Sequence, residues 1–224
     1  MWDAQLPEFA RSFRVLRSDT RGHGKSSVAP GPYTIEQLAN EVLALADSQR
    51  IEHFHFCGLS MGGQIGMWIA ANAPRRMNKV VLCSTAAKIG TPEMWDARIA
   101  TVRKEGMKNV AAAAIERWFT AAFRAKNPSV VGRIHKVLEA TSPEGYAACC
   151  SGLRDFDFRE SLAKVRTPTL VISGTHDPAT TPADGQFLAS HIAGARDVEL
   201  NGAHLSNIED ADRFTWEVLT FLTS

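Results

Sequence analysis

The chain has 224 residues, 45% of them apolar and 22% charged, and a formal net charge of +1. That is enough chain for one sizeable core. The near-neutral balance leaves no electrostatic footprint for nucleic acid or an acidic membrane. No apolar run approaches the length of a membrane span, and "MWDAQLPEFARSF" at the N-terminus is not a secretory signal.

The elements alternate. "FRVLRSD" (Phe13 to Asp19) reads as a short buried strand running into the glycine-rich loop "TRGHGKSS". A helix follows, with Ile35, Leu38, Ala39, Val42, Leu43 and Ala46 at helical spacing and a Thr34/Gln37 capping pattern at its start. "HFHFCG" is a strand, "MGGQIGMWIAANAP" a helix stopped by Pro74, and "KVVLCST" a strand again. From about Ala87 to Lys164 the patterns are helical only, among them "PEMWDARIATVRKEG", "MKNVAAAAIERWFTAAF" and "PSVVGRIHKVLEA". The rhythm resumes with the strand "PTLVISG", a helix over Pro182 to Ile192, the strand "RDVEL" and the helix "DADRFTWEVLTFL". Alternation of this kind predicts an α/β fold, a mainly parallel sheet flanked by helices. The expected organisation is a core in two parts, residues 1–86 and 165–224, with a helical cap inserted at 87–164.

Gly58-Leu59-Ser60-Met61-Gly62 matches G-x-S-x-G, and it sits between a strand and a helix, the context that motif requires. Glycines permit the sharp turn, and the serine is held at its tip as a nucleophile. The Met61 N–H, opening the helix, is placed to stabilise an oxyanion. The bland alternative is a glycine-rich turn with an inert serine.

A serine nucleophile needs a base, and the base an orienting group. Seven histidines are available. His53 and His55 lie on a strand, and no third ligand stands near them for a metal. His135 and His191 fall on helical patterns, and His23 in a turn. His204, in "LNGAHLSN", follows the last strand at its carboxyl end; Asp177, in "VISGTHDPATTP", follows the preceding strand at the same edge, and His176 is its neighbour. Open parallel sheets place their chemistry at that edge. Taken singly, each is a loop residue. Together, the order Ser60, Asp177, His204 is that of a hydrolase triad.

The four cysteines, Cys57, Cys83, Cys149 and Cys150, form no C-x-x-C and suggest a reducing, cytoplasmic setting. A redox role for the adjacent pair Cys149 and Cys150 stays open as a minor reading.

"DTRGHGKS", "GLSMGG", "SGTHDPATTP" and "GAHLSN" resemble the α/β-hydrolase fold superfamily. "MWDAQLP", "FRVLRSDTRGHGKSS", "GPYTIEQLANEV", "FCGLSMGGQIGMWIA" and "GAHLSNIE" resemble, in order, the 3-oxoadipate enol-lactonases of bacterial aromatic catabolism. The resemblance covers the whole chain and is weakest in the helical insertion. It implies Ser60 as nucleophile, Asp177 as acid and His204 as base, and a small lactone or ester carrying a carboxylate as substrate, with no metal or organic cofactor. It also implies further strands, and a second oxyanion donor, ahead of the position of Met1; the expectation is that such residues exist in the natural protein. The cap offers Arg98, Arg103, Arg117, Arg124 and Arg133 for the carboxylate; Arg117 and Trp118, where aromatics cluster, are the candidate substrate-binding residues. Competing readings are an esterase, a C–C bond hydrolase or a perhydrolase on the same triad, and a binding module without catalysis. Oligomeric state is not legible.

Overall fold

A computed structural model describes all residues, 1–224. The elements in chain order are α1 (Leu6–Ser12), α2 (Ile35–Ser48), β1 (Phe54–Leu59), α3 (Met61–Asn72), β2 (Met77–Cys83), α4 (Pro92–Glu105), α5 (Met107–Trp118), α6 (Ala121–Lys126), α7 (Pro128–Glu139), α8 (Pro143–Asp155), β3 (Thr169–Gly174), α9 (Pro182–His191), β4 (Arg196–Leu200), α10 (Ser206–Glu209) and α11 (Ala211–Thr223). The four strands pair in the order β1-β2-β3-β4, and every pairing is parallel.

The central strands β2 and β3 are buried on both faces, which is why they read as apolar runs, whereas the edge strand β4 exposes Arg196, Asp197 and Glu199. Alternate residues still go to opposite sides. Val80 and Leu82 of β2 and Val171 of β3 join one cluster with Ile35, Leu38 and Ala39 of α2, Ile65 and Ile69 of α3 and Leu188 of α9. Val81 and Cys83 of β2 and Leu170 and Ile172 of β3 join the other, with Phe214, Val218 and Phe221 of α11. Those three positions on α11 share one helix face, so a single helix covers the sheet centre on that side.

Between β2 and β3 the chain is helical, α4 to α8, and these helices form a cap. They carry a third apolar cluster of their own, built on Trp95, Ile99 and Val102 of α4, Met107 and Val110 of α5 and Ala147, Cys150 and Leu153 of α8.

Three local readings differ from the sequence-based expectation. Phe13 to Asp19 is not a strand: β1 is the edge of the sheet, no strand pairs with its outer side, and extended backbone without a partner is not counted as a strand. The Phe13 ring meets β1, packing edge-on against His55 at 5.5 Å between centroids. Ahead of it, Leu6–Ser12 forms a helix that the apolar pattern did not suggest; it carries Pro in its first turn and no buried residue. The segment Met107 to Phe123 is two helices. Phe119 leaves helical geometry at φ −131°, ψ 140°, and Thr120 caps the next helix by accepting from Phe123 N at 3.2 Å.

Candidate active site

All four strands are parallel, so their carboxyl ends lie at one edge of the sheet. β1 leads to Ser60, β3 leads to Asp177 and β4 leads to His204.

Ser60 sits between β1 and α3 with φ 56° and ψ −115°. Only a tight turn holds a non-glycine residue there, at a cost of about 1–3 kcal/mol. A serine at a helix N-terminus ordinarily accepts an N–H of the first turn, but the Ser60 side chain makes no such cap bond. The strain is held by the backbone around it. Ser60 N donates to Cys83 O at 2.9 Å, while its own carbonyl accepts from Gly63 N at 2.9 Å and Thr85 Oγ1 at 2.8 Å. Gly58 is indispensable to this turn, because a Cβ there would lie 2.1 Å from Gly62 O. Met61 is the first residue of α3, so its N–H has no intrahelical acceptor.

His204 and Asp177 are both buried. Nδ1 of His204 is 2.7 Å from Asp177 Oδ2. The same oxygen accepts from Thr180 Oγ1 at 2.7 Å, and Asp177 Oδ1 accepts from Ala179 N at 2.8 Å and Thr180 N at 3.2 Å. Burial pushes the Asp177 carboxyl up, but the hydrogen bond and charge of His204, with the Thr180 and Ala179 donors, outweigh it and hold the carboxyl below its usual value. Asp177 is therefore a carboxylate, able to orient one His204 tautomer.

Two features that the sequence reading missed fix this pair. Thr180, three residues after Asp177, closes a turn around the carboxylate; the D-x-x-T spacing was the available signal. Glu209 receives Ala203 N at 2.9 Å and also Thr120 N at 3.0 Å and Thr120 Oγ1 at 2.7 Å. One carboxylate thus ties the His204 loop to the cap, a long-range contact with no local signal. Leu205 N adds a bond to Trp118 O at 3.0 Å.

Trp118 ends α5 half-buried, its ring 6.1 Å from that of His204. Arg117 lines a cavity of about 340 Å³ with Glu116, Thr120, His176, Pro178 and Ala203; His176 and Pro178 flank Asp177, Ala203 precedes His204, and Ser60 is not in its lining. Of the remaining histidines, only His176 adjoins the pair. His53 Nδ1 contacts Arg75 O at 2.8 Å, His135 faces Glu139 at 3.5 Å, and His191 packs on Phe187. His23 Nδ1 lies 3.3 Å from Arg21 O, and His176, exposed, uses its backbone N–H to hold Gly202 O at 2.9 Å. No helix is long and apolar enough to cross a membrane.

The alpha/beta hydrolase fold family matches residues 1–211. The chain belongs to that family. Over 97% of its length it is 44% identical to 3-oxoadipate enol-lactonase 2 of Acinetobacter baylyi, covering 82% of that protein. It superposes on the crystal structure of the enol-lactonase from Burkholderia xenovorans LB400 with a TM-score of 0.98 and 50% identity, over 100% of this chain and 86% of that one. A hydrolase from Pseudomonas aeruginosa PA01 gives a TM-score of 0.97 at 46% identity, over 100% of this chain and 84% of the other. The parallel sheet and the flanking helices of this chain are those of the α/β-hydrolase family.

Proposed function

We propose that this hydrolase opens a small enol-lactone, 3-oxoadipate enol-lactone by its kinship with the Acinetobacter enzyme, and does so in the cytoplasm as a step of aromatic catabolism. The observation that carries the reading is the uncapped, strained Ser60 at the same sheet edge as the hydrogen-bonded His204–Asp177 pair.

In this reading His204 takes the hydroxyl proton of Ser60 as Oγ bonds to the lactone carbonyl carbon. The tetrahedral oxyanion is met by the Met61 N–H at the head of α3. As the carbonyl re-forms, the ring C–O bond breaks, and the enol oxygen takes the proton from His204. The enol stays tethered to the acyl group on Ser60. A water then loses its proton to His204 and attacks the acyl carbon, and Ser60 leaves with that proton. The freed enol tautomerises to the ketone. Asp177 stays ionised throughout, fixing the His204 tautomer and stabilising the imidazolium. Trp118, beside His204, forms a wall of the substrate pocket, and Arg117 meets the substrate carboxylate.

Turnover of the enol-lactone, followed by loss of its ultraviolet absorbance, tests the reading. Substrate consumption that vanishes in Ser60→Ala supports it. Hydrolysis of simple esters with none of the enol-lactone would replace it with a general esterase.

A further inference from the structure

The break between α5 and α6 leaves two backbone groups without a helical partner. The Trp118 carbonyl, at the end of α5, has no donor within its own helix, and the Thr120 N–H, at the cap of α6, has no acceptor there. Both are taken up by the segment that carries His204. Leu205 N donates to Trp118 O at 3.0 Å. Thr120 N donates to Glu209 Oε1 at 3.0 Å, and Thr120 Oγ1 donates to Glu209 Oε2 at 2.7 Å.

The same carboxylate reaches back along its own chain. Glu209 Oε1 also accepts from Ala203 N at 2.9 Å, on the residue before His204. A tight turn brings it there: Ile208 N and Glu209 N both return to Leu205 O, at 2.8 and 3.1 Å. His204 is therefore bracketed. The residue before it is bonded to Glu209 and the residue after it to Trp118, and both bonds lead to the one joint of the cap that runs from Trp118 to Thr120. Thr120 and Ala203 also line the same cavity, together with Phe119.

The rest of the loop is held as closely. Asn201 N donates to Asp210 Oδ2 at 3.3 Å, and Gly202 O accepts from His176 N at 2.9 Å. A Cβ at Gly174, the last residue of β3, would lie 2.2 Å from Ala203 O, so the loop rests directly on the strand end. With the backbone fixed on both sides of His204, the imidazole keeps only its own torsions, and Asp177 takes those up.

Glu209 joins what nothing else in the loop joins. Its partners are two N–H groups and a hydroxyl, from positions 6 and 89 residues away, and none is a cation. Without its side chain, Ala203 N and Thr120 N lose their acceptor, and the cap joint and the His204 loop lose the bridge between them. With it, the joint cannot lift without drawing on the residues that flank His204.

We propose that Glu209 is a positioning residue for the base. By locking the Trp118–Thr120 joint to the loop on both sides of His204, it registers the imidazole with the Trp118 ring 6.1 Å away, so that seating of the cap and alignment of His204 on Ser60 are one event. This rests on the hydrolase reading through the roles of Ser60 and His204, and it holds whichever ester or lactone is turned over.

Two rates and one count test it. A small dialkyl fluorophosphate gives the fraction of chains labelled at completion and the rate constant of labelling; enol-lactone turnover gives kcat and KM. Glu209→Gln keeps the size of the side chain but turns an N–H toward the Thr120 hydroxyl. Thr120→Val removes that hydroxyl, and Thr120→Ser keeps it. Glu209→Gln is expected to lower kcat and the labelling rate constant together, by about 10–100-fold, with KM changed by less than about threefold and labelling still complete. Thr120→Val lowers both rates by about two- to tenfold and Thr120→Ser by less. The double variant of Glu209→Gln and Thr120→Val falls short of the product of the singles, because the two share one bond. A purely structural role would instead lower the labelled fraction and leave the rate constant of the labelled chains at the wild-type value. That result, or rate constants unmoved in Glu209→Gln, overturns the proposal and leaves the hydrolase reading standing. If Glu209→Gln does not fold, the contrast at position 120 decides, and equal rates in Thr120→Val and Thr120→Ser overturn the proposal. Wild-type chain that labels but leaves the enol-lactone intact overturns the substrate reading, and the labelling rates still decide the role of Glu209. Wild-type chain that neither labels nor turns over overturns both.

Discussion

His204 Nδ1 and Asp177 Oδ2 are 2.7 Å apart, buried, and contributed by the loops that follow adjacent strands β4 and β3. The carboxylate is already bound by Thr180 and two backbone N–H groups, so it has little freedom to leave the imidazole. A pair arranged in this way has consequences for rate and for acid stability.

Asp177→Asn keeps the shape but removes the charge that fixes the tautomer. Its kcat is expected to fall by about 10⁴-fold, with KM changed little. Steady-state kinetics on the lactone or on a chromogenic ester read this directly. A loss below tenfold would remove Asp177 from the mechanism.

The lowered Asp177 pKa also makes a stability contribution whose sign follows from linkage. A carboxyl held lower in the folded than in the unfolded chain stabilises the fold above its unfolded value, about 3.9, and loses that contribution as pH falls toward the folded value. The gap in Tm between wild type and Asp177→Asn should therefore be constant from about pH 6 to 7 and narrow below about pH 4. A gap that widens on acidification would contradict the assignment.

The two glycines of the turn predict opposite outcomes. A Cβ at Gly58 meets Gly62 O at 2.1 Å and Gly62 C at 2.3 Å, both backbone, so relief requires moving the Ser60 turn. A Cβ at Gly62 meets nothing within 4 Å. Gly58→Ala should cost about 1–3 kcal/mol or more and abolish activity, whereas Gly62→Ala, inside α3, should be neutral or stabilising by up to about 1 kcal/mol. Thermal unfolding of the two variants compares them, and equal losses would show that the turn does not depend on Gly58 as described.

Cys149 and Cys150 are buried neighbours on α8, unpaired, with burial raising each thiol to about 12. A thiol so raised carries almost no thiolate at neutral pH and reacts slowly. Iodoacetamide at pH 7 should leave both unmodified in the folded chain and alkylate both after denaturation, as read by mass spectrometry. Rapid modification in the folded state would revive a redox role for the pair.

What was legible in the sequence follows from the range of the interactions. The strands β2 and β3 stood out because the covered centre of a sheet writes continuous apolar runs, and the α2 and α3 starts stood out through Thr34 and the glycine turn. Ser60 was marked by its own neighbours. Asp177 and His204 were marked only by where they follow strands, and their hydrogen bond joins positions 27 residues apart. The strand expected at Phe13 to Asp19 did not form, because an apolar run becomes a strand only when a partner lies beside it. Glu209, bridging Thr120 and Ala203, arises from three-dimensional packing across the cap, where neither spacing nor composition carries a trace.

The central claim is that Ser60 is the nucleophile. Incubation with a serine-directed fluorophosphonate, followed by peptide mapping, tests it most directly. The account predicts one adduct per chain, on the peptide containing Ser60, with labelling and turnover lost together in Ser60→Ala and in His204→Ala, and no further loss when the two are combined. An adduct on another serine, or undiminished hydrolysis by Ser60→Ala, would contradict it.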